Sequence, residues 1–178
     1  RDYTLDKHKR VDDYPYGGGR GAVMTADPLY RCWESICDEV SGPVHTIYLS
    51  PCGHTFKQED AIRLSKMENL ILVCGHYEGI DQRFLDTYVD EVVSIGDFVL
   101  SGGELPAMTL IDAIVRQIPG AIKELSTLDE SFSTGLLDAP HYTRPEVWRE
   151  QTIPEVLLTG HHANIAKWRL EQAILRTK

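Results

Sequence analysis

The stretch from Ser94 to Met108, Ser-Ile-Gly-Asp-Phe-Val-Leu-Ser-Gly-Gly-Glu-Leu-Pro-Ala-Met, constrains this chain most, because it leaves a strand-like run, crosses a glycine loop and opens a helix. Gly96, Gly102 and Gly103 allow positive φ and leave no Cβ between backbone and a ligand, and Glu104 and Pro106 suit a first helical turn. Two further loops of this kind follow apolar runs. Ser50-Pro51-Cys52-Gly53 comes after Ile47 to Leu49, and Gly75-His76-Tyr77-Glu78-Gly79-Ile80-Asp81 after Leu70 to Cys74. Ligands of open α/β sheets lie beyond the carboxyl ends of strands, so three such loops together mark a candidate crevice.

The runs between these loops alternate in period. Val44 to Leu49, Leu70 to Cys74 and Glu91 to Ile95 read as strands, the second as one buried on both faces. Gln58 to Lys66 and Gly79 to Tyr88 read as helices, and Gly21 to Thr25 as a short strand. A helix runs from Asp27-Pro28 to about Val40, with Asp27 as N-cap, Pro28 at its first position, and Leu29, Trp33, Ile36, Cys37 and Val40 on one face. Glu104 to Ile118 carries so many apolar residues that most of its circumference is expected to be buried. The alternation implies βαβ units and an α/β fold with a mainly parallel sheet.

Before the first strand, Arg1 to Arg20 has no period and closes on Tyr14-Pro15-Tyr16-Gly17-Gly18-Gly19-Arg20, an ordered or ligand-ordered loop. After Pro119-Gly120 the character changes. Residues 121–140 are polar and read as a linker between a first domain, 1–120, and a C-terminal one, 141–178. There Pro154 to Thr159 reads as extended and Asn164 to Arg176 as a helix burying Ile165, Trp168 and Ile174. His161, His162, Lys167, Arg169 and Arg176 make that helix the most basic part of an otherwise acidic chain.

With 178 residues and 42% hydrophobic side chains the chain can bury a good-sized core. No apolar run is long enough to cross a bilayer and Arg1 to Arg10 lacks an apolar leader core, so a cytoplasmic protein without a membrane partner is expected. Cys32, Cys37, Cys52 and Cys74 show no CxxC pairing, so neither a metal site nor disulfides are indicated. A net charge of −9 opposes indiscriminate binding of polyanions, which leaves a local basic patch as the place for RNA.

No GxGxxG, GxSxG or HExxH is present. The crevice has carboxylates at its edge, Glu78, Asp81, Asp97 and Glu104, each either a contact for a positive centre or a helix cap or solvated loop tip. Arg116, in an apolar helix, needs a partner or a ligand, and serves either a structural salt bridge or an electrophilic role.

Six segments together resemble the bacterial tRNA (guanine-N1)-methyltransferases of the TrmD family, in order and over essentially the whole chain. They are Val11-Asp12-Asp13-x-Pro15-Tyr16-Gly17-Gly18-Gly19, Leu49-Ser50-Pro51-x-Gly53, Leu70 to Asp81, Ser94 to Ala107, Gly135 to Pro145 (Gly-Leu-Leu-Asp-Ala-Pro-His-Tyr-Thr-Arg-Pro), and Leu157-Leu158-Thr159-Gly160-His161-His162-Ala163. The resemblance implies the SPOUT fold with its trefoil knot, a small helical C-terminal domain that binds tRNA, and an obligate homodimer with the active site at the subunit interface. It also implies S-adenosylmethionine as cofactor, a dependence on Mg²⁺, and methylation of N1 of guanosine 37 in tRNA, which protects the reading frame. On this likeness the cofactor lies against Tyr48, Leu49, Ser50, Pro51, Gly75, Tyr77, Glu78, Gly79, Ile95, Gly96, Leu100, Gly102 and Gly103.

The family's catalytic arginine matches Arg116, and its catalytic aspartate falls at Glu130 or at Asp129, one residue earlier. Cys52, His76 and Phe98 stand where the family commonly has Gln, Arg and Tyr. In the family a strand and a helix precede the position of Arg1, so the first strand of the sheet is expected to be missing here. Two rivals stay open: another SPOUT methyltransferase, acting on ribose 2′-OH or on rRNA, and a non-catalytic RNA-binding module.

Overall fold

The computed structural model describes residues 1–122, 130–132 and 135–178. It divides into two compact units, Arg1–Ile118 and Pro119–Lys178, so the segment read as a linker falls within the second.

The first unit is built on a parallel sheet of three strands in the order β4-β3-β5, with β3 at Val44–Thr55, β4 at Asn69–Cys74 and β5 at Glu91–Ser94. The period of two decides the layers. Ile47 and Leu49 of β3, Leu70, Leu72 and Cys74 of β4 and Val93 of β5 face α2 (Gln58–Leu64) and α4 (Glu104–Val115), where Ala61, Leu64, Ala107, Leu110 and Ile114 complete one buried cluster. Tyr48, Val73 and Val92 face the other way. There they meet Phe84 and Tyr88 of α3 (Gln82–Tyr88) and Leu29, Tyr30 and Trp33 of α1 (Ala26–Glu39). The indole of Trp33 donates to Thr46 Oγ1 at 2.9 Å, which satisfies a hydroxyl otherwise buried without water.

Several elements depart from the sequence reading. Helix α1 begins two residues earlier: extended Thr25 is the N-cap, Pro28 sits at the third position, and Asp27 pairs with Arg31 at 2.9 Å. The 79–88 helix starts only at Gln82, because Asp81 accepts from Arg83 N–H as its cap. Strand β3 runs past Leu49 to Thr55. Leu49 and His54 both align with Val93 of β5, so Ser50 to Gly53 arch out of the sheet as an excursion within one strand.

Helix α4 corrects the expectation of near-complete burial. Ala107, Leu110 and Ile114 are buried, whereas Leu105 (61% exposed), Met108 (65%) and Ile111 (49%), with Val115 and Ile118, form an apolar stripe open to solvent. An amphipathic period is hard to see in a helix apolar on both sides, one of which the sheet covers.

Strand β1 (Asp12–Asp13) pairs antiparallel with β2 (Val23–Met24). β2 in turn clamps the loop after β4: Met24 N–H donates to Gly79 O, Asp81 N–H to Met24 O, and Glu78 N–H to Ala22 O, at 2.9, 2.9 and 3.0 Å.

In the second unit Val147–Trp148 (β6) and Gln151–Thr152 (β7) form a hairpin that the sequence reading missed. Its turn residues Arg149 and Glu150 both have positive φ, of 48° and 66°, yet neither is the Gly or Asn that announces such a turn. The segment expected to be extended after Pro154 is a 3₁₀ turn at Glu155–Leu157, and α5 spans His162–Thr177. Ile165 and Trp168 of α5 are partly covered, but Ile174 is 41% exposed rather than buried.

Candidate functional site

The Ser50–Gly53 excursion of β3 and the loops at the carboxyl ends of β4 and β5 enclose a cavity of about 290 Å³. Its walls include every residue that the family likeness assigned to cofactor: Tyr48, Leu49, Ser50 and Pro51, then Gly75, Tyr77, Glu78 and Gly79, then Ile95, Gly96, Leu100, Gly102 and Gly103. Cys52, His76, Phe98, Val99 and Pro106 complete most of the rest.

Each wall is held by identifiable bonds. The first bends through Cys52 N–H donating to Ser50 Oγ at 3.3 Å. Tyr77 in the second takes φ +60, and His76 N–H reaches Met24 Sδ at 3.3 Å. In the third, Ser94 Oγ donates to Gly96 O and accepts from Gly96 N–H, at 3.1 and 3.2 Å.

The second and third walls are joined where glycine is required. Gly103 N–H donates to Gly75 O at 3.0 Å, and a Cβ on Gly103 would lie 2.6 Å from Cys74 Cα, so only glycine permits this approach. Beside it His76 bridges Gly102 in an antiparallel pair, and the His76 imidazole bonds to Glu104 Oε1 at 2.5 Å. Glu104's own backbone N–H and then His76 hold its carboxyl below the usual glutamate range. Burial pushes the Tyr48 phenol upward, so this wall is neutral, and it does the same to the Cys74 thiol, which faces the core rather than the cavity.

The four edge carboxylates separate. Asp81 caps α3 and chelates Arg83 at 2.6 and 2.9 Å, and Glu104 is engaged by His76. Glu78 lines the cavity, and Asp97 is not among its lining residues.

Arg116 is the C-cap of α4, its N–H donating to Asp112 O at 3.2 Å, and its side chain is half-buried. Glu130 is half-buried in the second unit, whereas Asp129 lies outside the described residues. The basic residues of α5 do not share one face. Positions 162, 169 and 176 recur every seven residues, close to two turns, and Lys167 lies on the opposite side. His161 is the N-cap of α5, Lys167 is 4.0 Å from Glu171, and Arg176 donates to Asp138 O at 3.0 Å. His141 first, and Arg169 more weakly, hold the Asp138 carboxyl low.

Among the described residues no helix is long and apolar enough to cross a membrane. The sequence pattern of the family described as tRNA (Guanine-1)-methyltransferase TrmD matches residues 1–178. Curated proteins named tRNA (guanine-N(1)-)-methyltransferase are similar throughout. That of Lachnospira eligens is 55% identical over 100% of this chain and 76% of its own length. The Ruminiclostridium cellulolyticum protein is 54% identical over 100% and 77%, and that of Pseudomonas entomophila 52% identical over 99% and 71%.

Proposed function

The chain belongs to the TrmD family of tRNA (guanine-N1)-methyltransferases, and on that premise we propose that it methylates N1 of guanosine 37 in tRNA, taking the methyl group from S-adenosylmethionine. The observation that carries this reading is the cavity between the β3 excursion and the loops after β4 and β5, whose walls are mostly bare backbone and uncharged side chains, with Glu78 among them. Such walls suit a nucleoside read through backbone N–H and C=O groups, and Glu78 supplies a carboxylate for a cationic ligand. Bound there, the cofactor supplies an electrophilic methyl on a sulfonium.

The chain's own residues do the rest. Guanine N1 carries a proton at neutral pH, so a carboxylate, Glu130 or Asp129, accepts it. Arg116 stabilises the negative charge that gathers on O6 as the proton leaves. Nothing in this scheme requires a covalent enzyme intermediate. Glu78 is the one carboxylate lining the cavity among the described residues, too few to form a Mg²⁺ cage, so no step of this scheme is assigned to a metal.

The same reading includes a trefoil-knotted SPOUT domain, a C-terminal tRNA-binding unit that uses His161, His162, Lys167, Arg169 and Arg176, and a homodimer. The open apolar stripe of α4 supports the homodimer, because a second copy gives Leu105, Met108 and Ile111 something to pack against. The test is transfer of labelled methyl to a tRNA transcript, followed by nucleoside analysis. We expect 1-methylguanosine, with kcat reduced roughly a hundredfold or more in Arg116→Ala at little changed cofactor affinity. Label on ribose, or none, overturns the reading.

A further inference from the structure

A second cluster of chemical groups lies outside the cavity, where β3 resumes pairing after its excursion. His54 of β3, Asp60 of α2 and Glu91 of β5 turn one donor atom each toward a common point, all within 4.8 Å of one another. His54 Nε2 is 3.6 Å from Asp60 Oδ1 and 3.3 Å from Glu91 Oε1. Ligands at the corners of a tetrahedron with metal bonds of about 2.0–2.1 Å are spaced roughly 3.3–3.4 Å apart. The His54–Glu91 edge, at 3.3 Å, already has that spacing, and the His54–Asp60 edge, at 3.6 Å, is close to it.

The other oxygen of each carboxylate is tied off. Asp60 Oδ2 accepts from Lys57 N–H at 3.0 Å, and Glu91 Oε2 is bonded to His45 Nε2 at 2.9 Å. Outer hydrogen bonds of this kind orient ligating carboxylates in metal sites. They leave Oδ1 and Oε1 directed at the same point as the imidazole.

A cation already occupies that point. Arg63 Nη2 lies 3.1 Å from Asp60 Oδ1 and 2.7 Å from Glu91 Oε1. Its side chain is 42% exposed and extends from the last turn of α2, so it can leave for solvent without opening the core. Two carboxylates against one guanidinium leave a net charge of −1 before the imidazoles are counted, which a divalent ion replacing the guanidinium would cancel.

We propose that His54, Asp60 and Glu91 form a site for a divalent d-block ion of the Zn²⁺ type, which binds by displacing Arg63. One nitrogen and two oxygens favour Zn²⁺ over Mg²⁺, which takes oxygen ligands in octahedral array. The site stands at the foot of the Ser50–Gly53 excursion but shares no residue with the cavity.

The test is calorimetric titration of the whole protein with Zn²⁺, with Co²⁺ as an optical probe. The expected result is one equivalent of Zn²⁺ bound, at least tenfold more weakly in His54→Ala and in Asp60→Asn, and unaffected by millimolar Mg²⁺. Removing the resident cation in Arg63→Ala should tighten binding. His54 is about half exposed, so its truncation should leave circular dichroism unchanged. A Co²⁺ spectrum without a thiolate charge-transfer band separates this site from the four cysteines. Equal Zn²⁺ affinity in the wild type and both ligand variants, or a thiolate band, overturns the proposal.

Discussion

The imidazole of His76, a wall of the cavity, and the carboxylate of Glu104 meet at 2.5 Å, joining the loop after β4 to the first turn of α4. Both side chains are about half exposed, so solvent screens the bond and it changes an affinity that depends on loop closure by no more than a few-fold. Glu104→Gln is expected to weaken cofactor binding by that factor or less, with kcat unchanged. Glu104's folded carboxyl is depressed, so the bond contributes fully above the ordinary glutamate range and is lost as pH falls through the folded value. Cofactor Kd should therefore stay level in the wild type down to the ordinary glutamate range and rise as pH is taken below it, and rise less in Glu104→Gln. Parallel profiles would remove the latch.

Gly102 and Gly103 are adjacent, but substitution should damage them differently. A Cβ on Gly102 would meet the ends of Glu104 and His76, at 2.4 and 2.7 Å from their nearest atoms, and those side chains can move. On Gly103 it would meet the Cys74 and Gly75 backbone, which cannot. Gly103→Ala should lower stability by about 1–3 kcal/mol. Gly102→Ala should leave stability nearly intact while weakening cofactor binding, and Gly102→Val should abolish it. Thermal melting with and without cofactor separates the two, and equal stability losses would contradict this account.

The strands and the three loops could be read from the sequence because each is a local pattern: an apolar run, then glycine. What depended on distant residues could not. Ser50 to Gly53 looks like the end of a strand, and pairing resumes at His54 only because β5 lies alongside. The Arg149–Glu150 turn carries no local signal, and the apolarity of α4 does not say which side the sheet covers. His54 and Asp60 lie on different elements and Glu91 on a distant strand, so no ligand spacing announced them. The cavity-lining residues came from matching motifs to a family, and Asp129 falls outside the described residues.

The open stripe of α4 predicts self-association. Met108 and Ile111 are 65% and 49% exposed, so Met108→Glu with Ile111→Glu should not disturb the cluster of Ala107, Leu110 and Ile114 beneath. By sedimentation the wild type should be a dimer and the double variant a folded monomer. A wild-type monomer at micromolar concentration would refute the homodimer.

The last prediction concerns how a chain of net charge −9 grips a polyanion. Repulsion has to be overcome locally, and each phosphate contact adds about one to the slope of log affinity against log salt. On α5 the basic residues divide between two faces, so single reversals are informative where a combined one is not. Arg169 shares its face with His162 and Arg176, whereas Lys167 stands opposite, close to Glu171. Arg176 is unsuited to the test, because it holds Asp138 O and its loss would disturb the segment it fastens. Arg169→Glu should therefore weaken tRNA binding and lower the salt slope by about one or two, and Lys167→Glu should do less. Cofactor affinity should stay within about twofold in both, since neither residue lines the cavity. If tRNA affinity and salt slope are unchanged in both variants, α5 is not the RNA-binding surface. If Lys167→Glu is the more damaging, the opposite face of the helix carries the contact.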